Sequence, residues 1–323
     1  MGPLPRARPS ASRLLGLSLL RKALLWRAGS SAAFLAVAIV AVAAATAGPV
    51  YLASADQSVL TNVLSPAPPE KTGLVVAPQP GSAMRLPVLE RAVSGLPRSP
   101  DNRPWWARPI YTEIIGVSAR AAGRTQAVSG DLVWRSLICR HLHMTAGRCP
   151  SSGAGVAISS RTAGLLRAKV GTLLDLGRRE EVVGIYRVSD VADPYYWGQN
   201  YFPFGTGSNP SIPTVDSLFG SRATLAVFAG TRSVAVSADV PLLSGNLRAP
   251  DVPRFEAALS KVQSRLGAAF SLSATSSVGS LLSSAESQQS AMATSVAVID
   301  LELMLLVLLV LYGVAAGTST ARE

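Results

Sequence analysis

The stretch CRHLHMTAGRC, residues 139–149, contains both cysteines and both histidines of a 323-residue chain. Cys139, His141, His143 and Cys149 are soft or borderline donors, and their proximity allows three chemistries. Thiolates and imidazoles can hold zinc or copper. A pair of thiols can act as a redox switch. The two cysteines can also close a disulfide. The spacing Cys-x-His-x-His-x5-Cys is not a common zinc pattern, and no Cys-x-x-Cys is present to favour redox work. Thiols outside a membrane are normally oxidised and paired, so the compartment decides among the three.

Other reactive groups are sparse. Serines are abundant, but His141 and His143 are the only histidines, and no Gly-x-Ser-x-Gly elbow occurs. Glu180 and Glu181 follow Arg178 and Arg179 directly, a pattern that reads as a solvated charge run in a turn. No Gly-x4-Gly-Lys-[Ser/Thr] loop is present. The expectation is a chain that is not an enzyme, with no catalytic residue, no cofactor and no resident metal. The set Cys139, His141, His143 and Cys149 stands as the alternative metal site.

The elements that position this stretch are set by a membrane. The chain is 48% hydrophobic and 15% charged, with a mean hydropathy of +0.31. That is more apolar and less charged than an average soluble protein. Its net charge of +11 does not form one basic face. Residues 1–29 carry six basic side chains and no acid, whereas residues 54–290 carry 23 basic and 16 acidic ones. No basic tract is interleaved with stacking aromatics, so nucleic acid is not an expected partner.

Two stretches have the length and composition of membrane spans. AAFLAVAIVAVAAATAGPVYLA covers residues 32–53, inside a region with no charge between Arg27 and Asp56. VAVIDLELMLLVLLVLYGVAAG covers residues 296–317. About 20 apolar residues suffice to cross a bilayer. The small-residue run AAATAG resembles a signal-peptide cleavage site. However, the preceding basic segment is long, and the apolar run continues through Tyr51, which favours a retained helix. Arg21, Lys22 and Arg27 precede the first span, so the positive-inside rule puts the N-terminus in the cytoplasm. The expected arrangement is a basic cytoplasmic segment over residues 1–29, with an amphipathic helix over 12–27 on the lipid surface. A transmembrane helix follows over 30–53, then an extracytoplasmic domain over 54–290. A second transmembrane helix covers 291–317, and a cytoplasmic tail covers 318–323.

Within the external domain, alternation and β-branched content predict strands at GLVVAP (73–78), IYTEIIGVSA (110–119), AVSGDLVWRSLI (127–138), VAISS (156–160), TLLDLG (172–177) and EEVVGIYRV (180–188). ATLAVFAG (223–230) and SVAVSADV (233–240) read as two more. Helices are expected at 84–96, at 162–169, at 250–269 and over the Ser/Ala/Gln-rich segment 276–292. Residues 65–71, 97–109 and 190–213 read as loops, the last an ordered and packed one despite its aromatics. Trp105 and Trp106 are read in the same way. The class is α+β between two membrane helices. In this topology the stretch 139–149 lies outside, and a Cys139–Cys149 disulfide is expected. Asp300 and Glu302, near the start of the second span, are read as lying at headgroup depth, with a partner-facing role as the rival reading.

Several motifs in residues 147–198 resemble one family. They are Gly147-Arg148-x-Pro150, the apolar run Val156 to Ser160, and Val170-Gly171 with Leu174 and Leu176. Val182 to Tyr186 and the Asp193-Pro-aromatic turn ending at Trp197 complete the set. Together with WRAG at 26–29 and the terminal LLVLLVLYGVAAGTSTARE, they resemble the actinobacterial branch of the FtsX/MacB-type ABC transporter permeases. The resemblance implies a MacB-like periplasmic core domain and a membrane subunit without its own active site. It also implies a separate cytoplasmic ABC ATPase as partner, contact with membrane lipids and a second permease chain in a dimer. ATP hydrolysis by the partner would move the helices and the external domain, for export or mechanotransmission. Permeases of this type continue past the second span, so a chain stopping at Glu323 is expected to be a truncated or split form. The rival function is a membrane-anchored external binding or scaffold protein, or a remnant permease fragment, without ATPase coupling.

Overall fold

The computed structural model describes residues 28–123, 125–188, 193–205 and 212–320. The amphipathic helix expected over 12–27 and the tail after 320 lie outside the described residues. The chain divides into two compact units. One comprises Leu60–Ala285, and the other comprises the segments up to Val59 and from Glu286 onward.

The chain enters through helix α1 (Ala28–Leu64) and a short helix α2 (Pro69–Thr72). Strand β1 (Leu74–Pro78), helix α3 (Leu86–Val93), strand β2 (Ile110–Ala121) and strand β3 (Ala127–Arg135) follow. Next come β4 (His143–Gly147), β5 (Val156–Ser159), helix α4 (Ser160–Leu166), β6 (Leu173–Asp175) and β7 (Arg179–Arg187). The last elements are β8 (Leu218–Gly220), helix α5 (Arg222–Phe228), β9 (Ala235–Val240), helix α6 (Val252–Phe270), β10 (Leu272–Thr275) and helix α7 (Val278–Thr320). The class is α+β, as the sequence leads one to expect.

The ten strands among the described residues belong to one sheet, in the order β10-β1-β9-β2-β3-β8-β5-β7-β4 with β6 off this path. β6 pairs with both β2 and β7, so the pairing β2-β3-β8-β5-β7-β6 returns to β2 and closes a ring. The ring encloses one core. Ile115, Val117, Ala119 and Ala121 alternate along β2 and meet Val128, Leu132, Val156, Ile158, Leu174 and Val182. Period-two alternation sends these side chains to one face and the intervening residues to the other.

A second core lies where β9, β1 and β10 extend the sheet beyond the ring. It contains Leu74, Val76, Val236, Ala238 and Val240, covered by Leu86 and Leu89 of α3 and by Phe255, Leu259, Val262 and Leu266 of α6. Leu60 and Leu64 at the end of α1, and Val278 and Leu282 at the start of α7, are buried in the same core. β2 is long enough to serve both cores. Its first half pairs with β9, and its last residues pair with β6.

Two sequence expectations are overturned. ATLAVFAG is helix α5, not a strand. Ser221 caps it by accepting the Thr224 N–H at 3.1 Å, and Thr224, Leu225 and Phe228 form its buried face. This repeats the start of α4, where Ser159 accepts the Thr162 N–H at 3.0 Å. Glu180 is not in a solvated turn. It lies in β7, is buried, and accepts the Gly155 N–H at 3.1 Å. Strand alternation turns Glu180 inward and Glu181 outward.

Candidate functional site

The stretch 139–149 is partly a strand rather than a simple loop. Leu137 takes a left-handed conformation, a 3-10 turn covers Ile138–Arg140, and β4 then pairs antiparallel with β7. Cys139 and Cys149 are disulfide-bonded with their Cα atoms 5.7 Å apart, tying the 3-10 turn to the residues just after β4. His141 is held by other groups. Its Nδ1 lies 3.2 Å from the Asp193 carboxylate, and its ring stacks on Tyr195 with centroids 3.7 Å apart. His143 is exposed at the start of β4. The four donors do not converge. Among the described residues no group of three or more His, Cys, Asp or Glu side chains is placed to hold a metal ion.

The polar centre of the domain lies elsewhere. Arg135, at the end of β3, is fully buried and faces Asp239 of β9, also fully buried. Arg135 Nη1 donates to Asp239 Oδ2 at 2.6 Å, Thr112 Oγ1 at 2.6 Å and Tyr201 Oη at 2.7 Å. Nη2 donates to the Tyr195 carbonyl at 2.6 Å. The guanidinium also lies over the rings of Tyr195 and Tyr201, 4.7 and 5.0 Å from their centroids. Burial pushes the Asp239 carboxyl above its usual range, opposed by the neighbouring Arg135 charge. Burial likewise pushes the Tyr201 phenol up to about 12. Arg135 Nε, Asp239 Oδ1, Trp197 Nε1 and Ser237 Oγ are buried without a hydrogen-bond partner among the described residues.

This network holds the aromatic stretch of residues 195–205 against the sheet. Tyr195, Trp197 and Tyr201 are buried, and Tyr196 donates to the His141 carbonyl at 2.9 Å. Trp105 and Trp106 pack on Phe255 in the second core. Sequence reading did not single out Arg135 or Asp239. The available signal was a charge within each of two strand patterns, Arg135 in AVSGDLVWR and Asp239 in SVAVSADV.

Two of the clefts on the described surface of this domain adjoin one another. The larger, about 610 Å³, lies between α3 and α5 over β2, with Met84, Leu86, Leu225, Val234 and Val236 among its apolar walls. Glu113 and Arg222 add charge there, 4.0 Å apart. Burial raises the Glu113 carboxyl and Arg222 partly restores it. The second cleft, about 400 Å³, runs between residues 77–83 and 233–237. Neither was legible as a motif, because their walls come from segments distant in sequence.

Helix α7 carries a different kind of surface. Val298, Ile299, Leu301, Leu303, Met304, Leu305, Leu306, Leu308, Leu309 and Val310 are all exposed. Among the described residues, Val278–Val310 is the stretch long and apolar enough to cross a membrane. Asp300 and Glu302 are exposed within it. On α1, Leu35, Ile39, Val50 and Tyr51 are exposed. Gln289 of α7 donates to the Asp56 carbonyl of α1 at 3.1 Å.

No family model matches the chain, and no curated protein matches it. Among solved structures, it is similar to the extracellular domain of the noncanonic ABC-type transporter YknZ from Gram-positive bacteria. The TM-score is 0.40 at 11% identity, covering 64% of this chain and 99% of that one. It is also similar to the periplasmic region of MacB from Actinobacillus actinomycetemcomitans. There the TM-score is 0.37 at 9% identity, covering 68% of this chain and 94% of that one.

Proposed function

We propose that this chain is a membrane subunit of an ABC transporter system of FtsX/MacB type, with its mixed domain outside the membrane. The observation that carries the reading is helix α7. Its first turns, with Val278 and Leu282, belong to the domain core, and the same unbroken helix continues into an exposed apolar run suited to lipid. The family-like residues add support, because they fall on consecutive elements from β4 to β7, in and beside the strand ring. Gly147 ends β4, Val156 to Ser160 form β5 and begin α4, Leu174 lies in β6, and Val182 to Tyr186 lie in β7.

In this reading α1 and α7 are the two membrane helices and both ends of the chain are cytoplasmic. A separate ATPase hydrolyses ATP, and the helices carry its motion to the domain. The chain itself supplies no catalytic group. A helix is a suitable transmitter because its hydrogen bonds are internal and it moves as a unit in lipid.

Affinity purification of the tagged chain from native membranes in mild detergent tests the proposal. A P-loop ATPase recovered in stoichiometric amount is the expected result. A stable, membrane-bound chain with no ATPase would overturn it and favour an anchored external binding protein.

A further inference from the structure

Strand β9 is longer than its pairing with β1. It pairs with β2 from Ala235 to Asp239, but with β1 only from Ala238 to Val240. Beyond Val76, β1 pairs with β10 alone, and Pro78 has no N–H with which to continue a ladder toward β9. The backbone of Ala235–Ser237 therefore has β2 on one side and no strand on the other among the described residues. The smaller cleft is the gap this leaves, lined by Ala77–Gln79 and Gly81–Ala83 on one side and Ser233–Ser237 on the other. The larger cleft shares Ala83, Ser233, Val234 and Val236 with it, so the two form one groove.

We propose that this groove binds an extended peptide segment of a partner protein as an added β-strand along Ala235–Ser237. An unpaired strand edge is a template for such pairing, and proteins that avoid it place charge or proline there. This edge has neither. Arg232 lines the larger cleft, where its guanidinium is held by the Gly116 carbonyl at 2.8 Å and the Leu176 carbonyl at 3.1 Å.

Alternation sets the side-chain chemistry of the occupant. On the face shared with Val236, its residues enter the larger cleft against Met84, Leu86 and Leu225, with Glu113 and Arg222 also in its walls. On the opposite face they meet Gln199 and Ser237. This wall is polar, with Gln199 and Ser237 in it, so a small polar residue such as Ser or Thr is favoured there. The fitting peptide alternates branched apolar residues with Ser or Thr. This inference stands on the domain's own geometry and does not depend on an ATPase partner.

The test uses the full chain in lipid nanodiscs and a blocked, fluorescein-labelled peptide, KTVTVTVK, read by anisotropy. Saturable binding is expected, with slowed amide exchange across residues 233–237. Methylating alternate peptide nitrogens removes two or more main-chain hydrogen bonds and should weaken binding about tenfold or more. Ala83→Trp and Ser233→Trp, both at exposed positions, should block it while leaving the far-ultraviolet spectrum and the melting temperature native. No saturable binding up to millimolar peptide would overturn the proposal. So would binding indifferent to methylation and to both variants, which would mark a site for apolar molecules rather than a strand.

Discussion

Asp239→Asn removes one charge of a pair in which both side chains are fully buried. The Arg135 guanidinium is then left without a counter-ion. Thr112, Tyr201 and the Tyr195 carbonyl still accept its protons, so some solvation by neutral dipoles persists. Breaking a buried ion pair from one side costs about 3–5 kcal/mol. At about 2–4 °C per kcal/mol for a domain of this size, the melting temperature should fall by about 6–20 °C. The double variant Arg135→Met, Asp239→Leu removes both charges and their desolvation, and should lie closer to the parent than Asp239→Asn does. The assay is thermal unfolding followed by near-ultraviolet circular dichroism, where Trp197 beside the pair reports local packing. A loss below about 1 kcal/mol in Asp239→Asn, no more than an average point substitution costs, would refute the reasoning. So would a double variant less stable than the single one.

Removing the Cys139–Cys149 disulfide, which closes a loop of sequence separation 10, should cost about 2–3 kcal/mol through the greater freedom of the unfolded chain. Urea unfolding of a double Cys→Ser variant measures it. Gly147→Ala should cost about 2–5 kcal/mol, from a positive φ of 71° and a new Cβ placed 2.3 Å from the Val183 carbonyl oxygen. The same unfolding curve checks this. Burial raises the Glu113 carboxyl above 4.5, so folding favours its protonated form and the associated stability is lost as pH rises through the raised value. Glu113→Gln should therefore match the parent near pH 4 and exceed it at pH 7, read as melting temperature against pH. The Arg103 side chain hydrogen-bonded to Asp101, with help from Ser99, holds its carboxyl at about 2. In Arg103→Gln, NMR titration should find it moved up toward 3.8.

Local rules made much of this protein readable from its sequence. Alternation together with β-branched content in IYTEIIGVSA and EEVVGIYRV reveals β2 and β7, because a strand with one buried face repeats every two residues. The apolar lengths around residues 32–53 and 296–317 mark long helices for the same local reason. Helix α5 was misread because ATLAVFAG is apolar throughout and carries no clear period. Only the Ser221–Thr224 cap, the counterpart of Ser159–Thr162 in α4, distinguishes it.

What tertiary structure alone decided is non-local. Arg135 and Asp239 are 104 residues apart, and nothing in either strand names the other. The ring closes because the three-residue β6 bridges β2 and β7, a pairing too short to leave a pattern of its own. The groove beside β9 exists because β1 leaves it after Val76. Sequence periodicity determines which face of a strand is buried. Where a strand's neighbour departs depends on how all ten strands pack together, and that is settled only when the chain has folded.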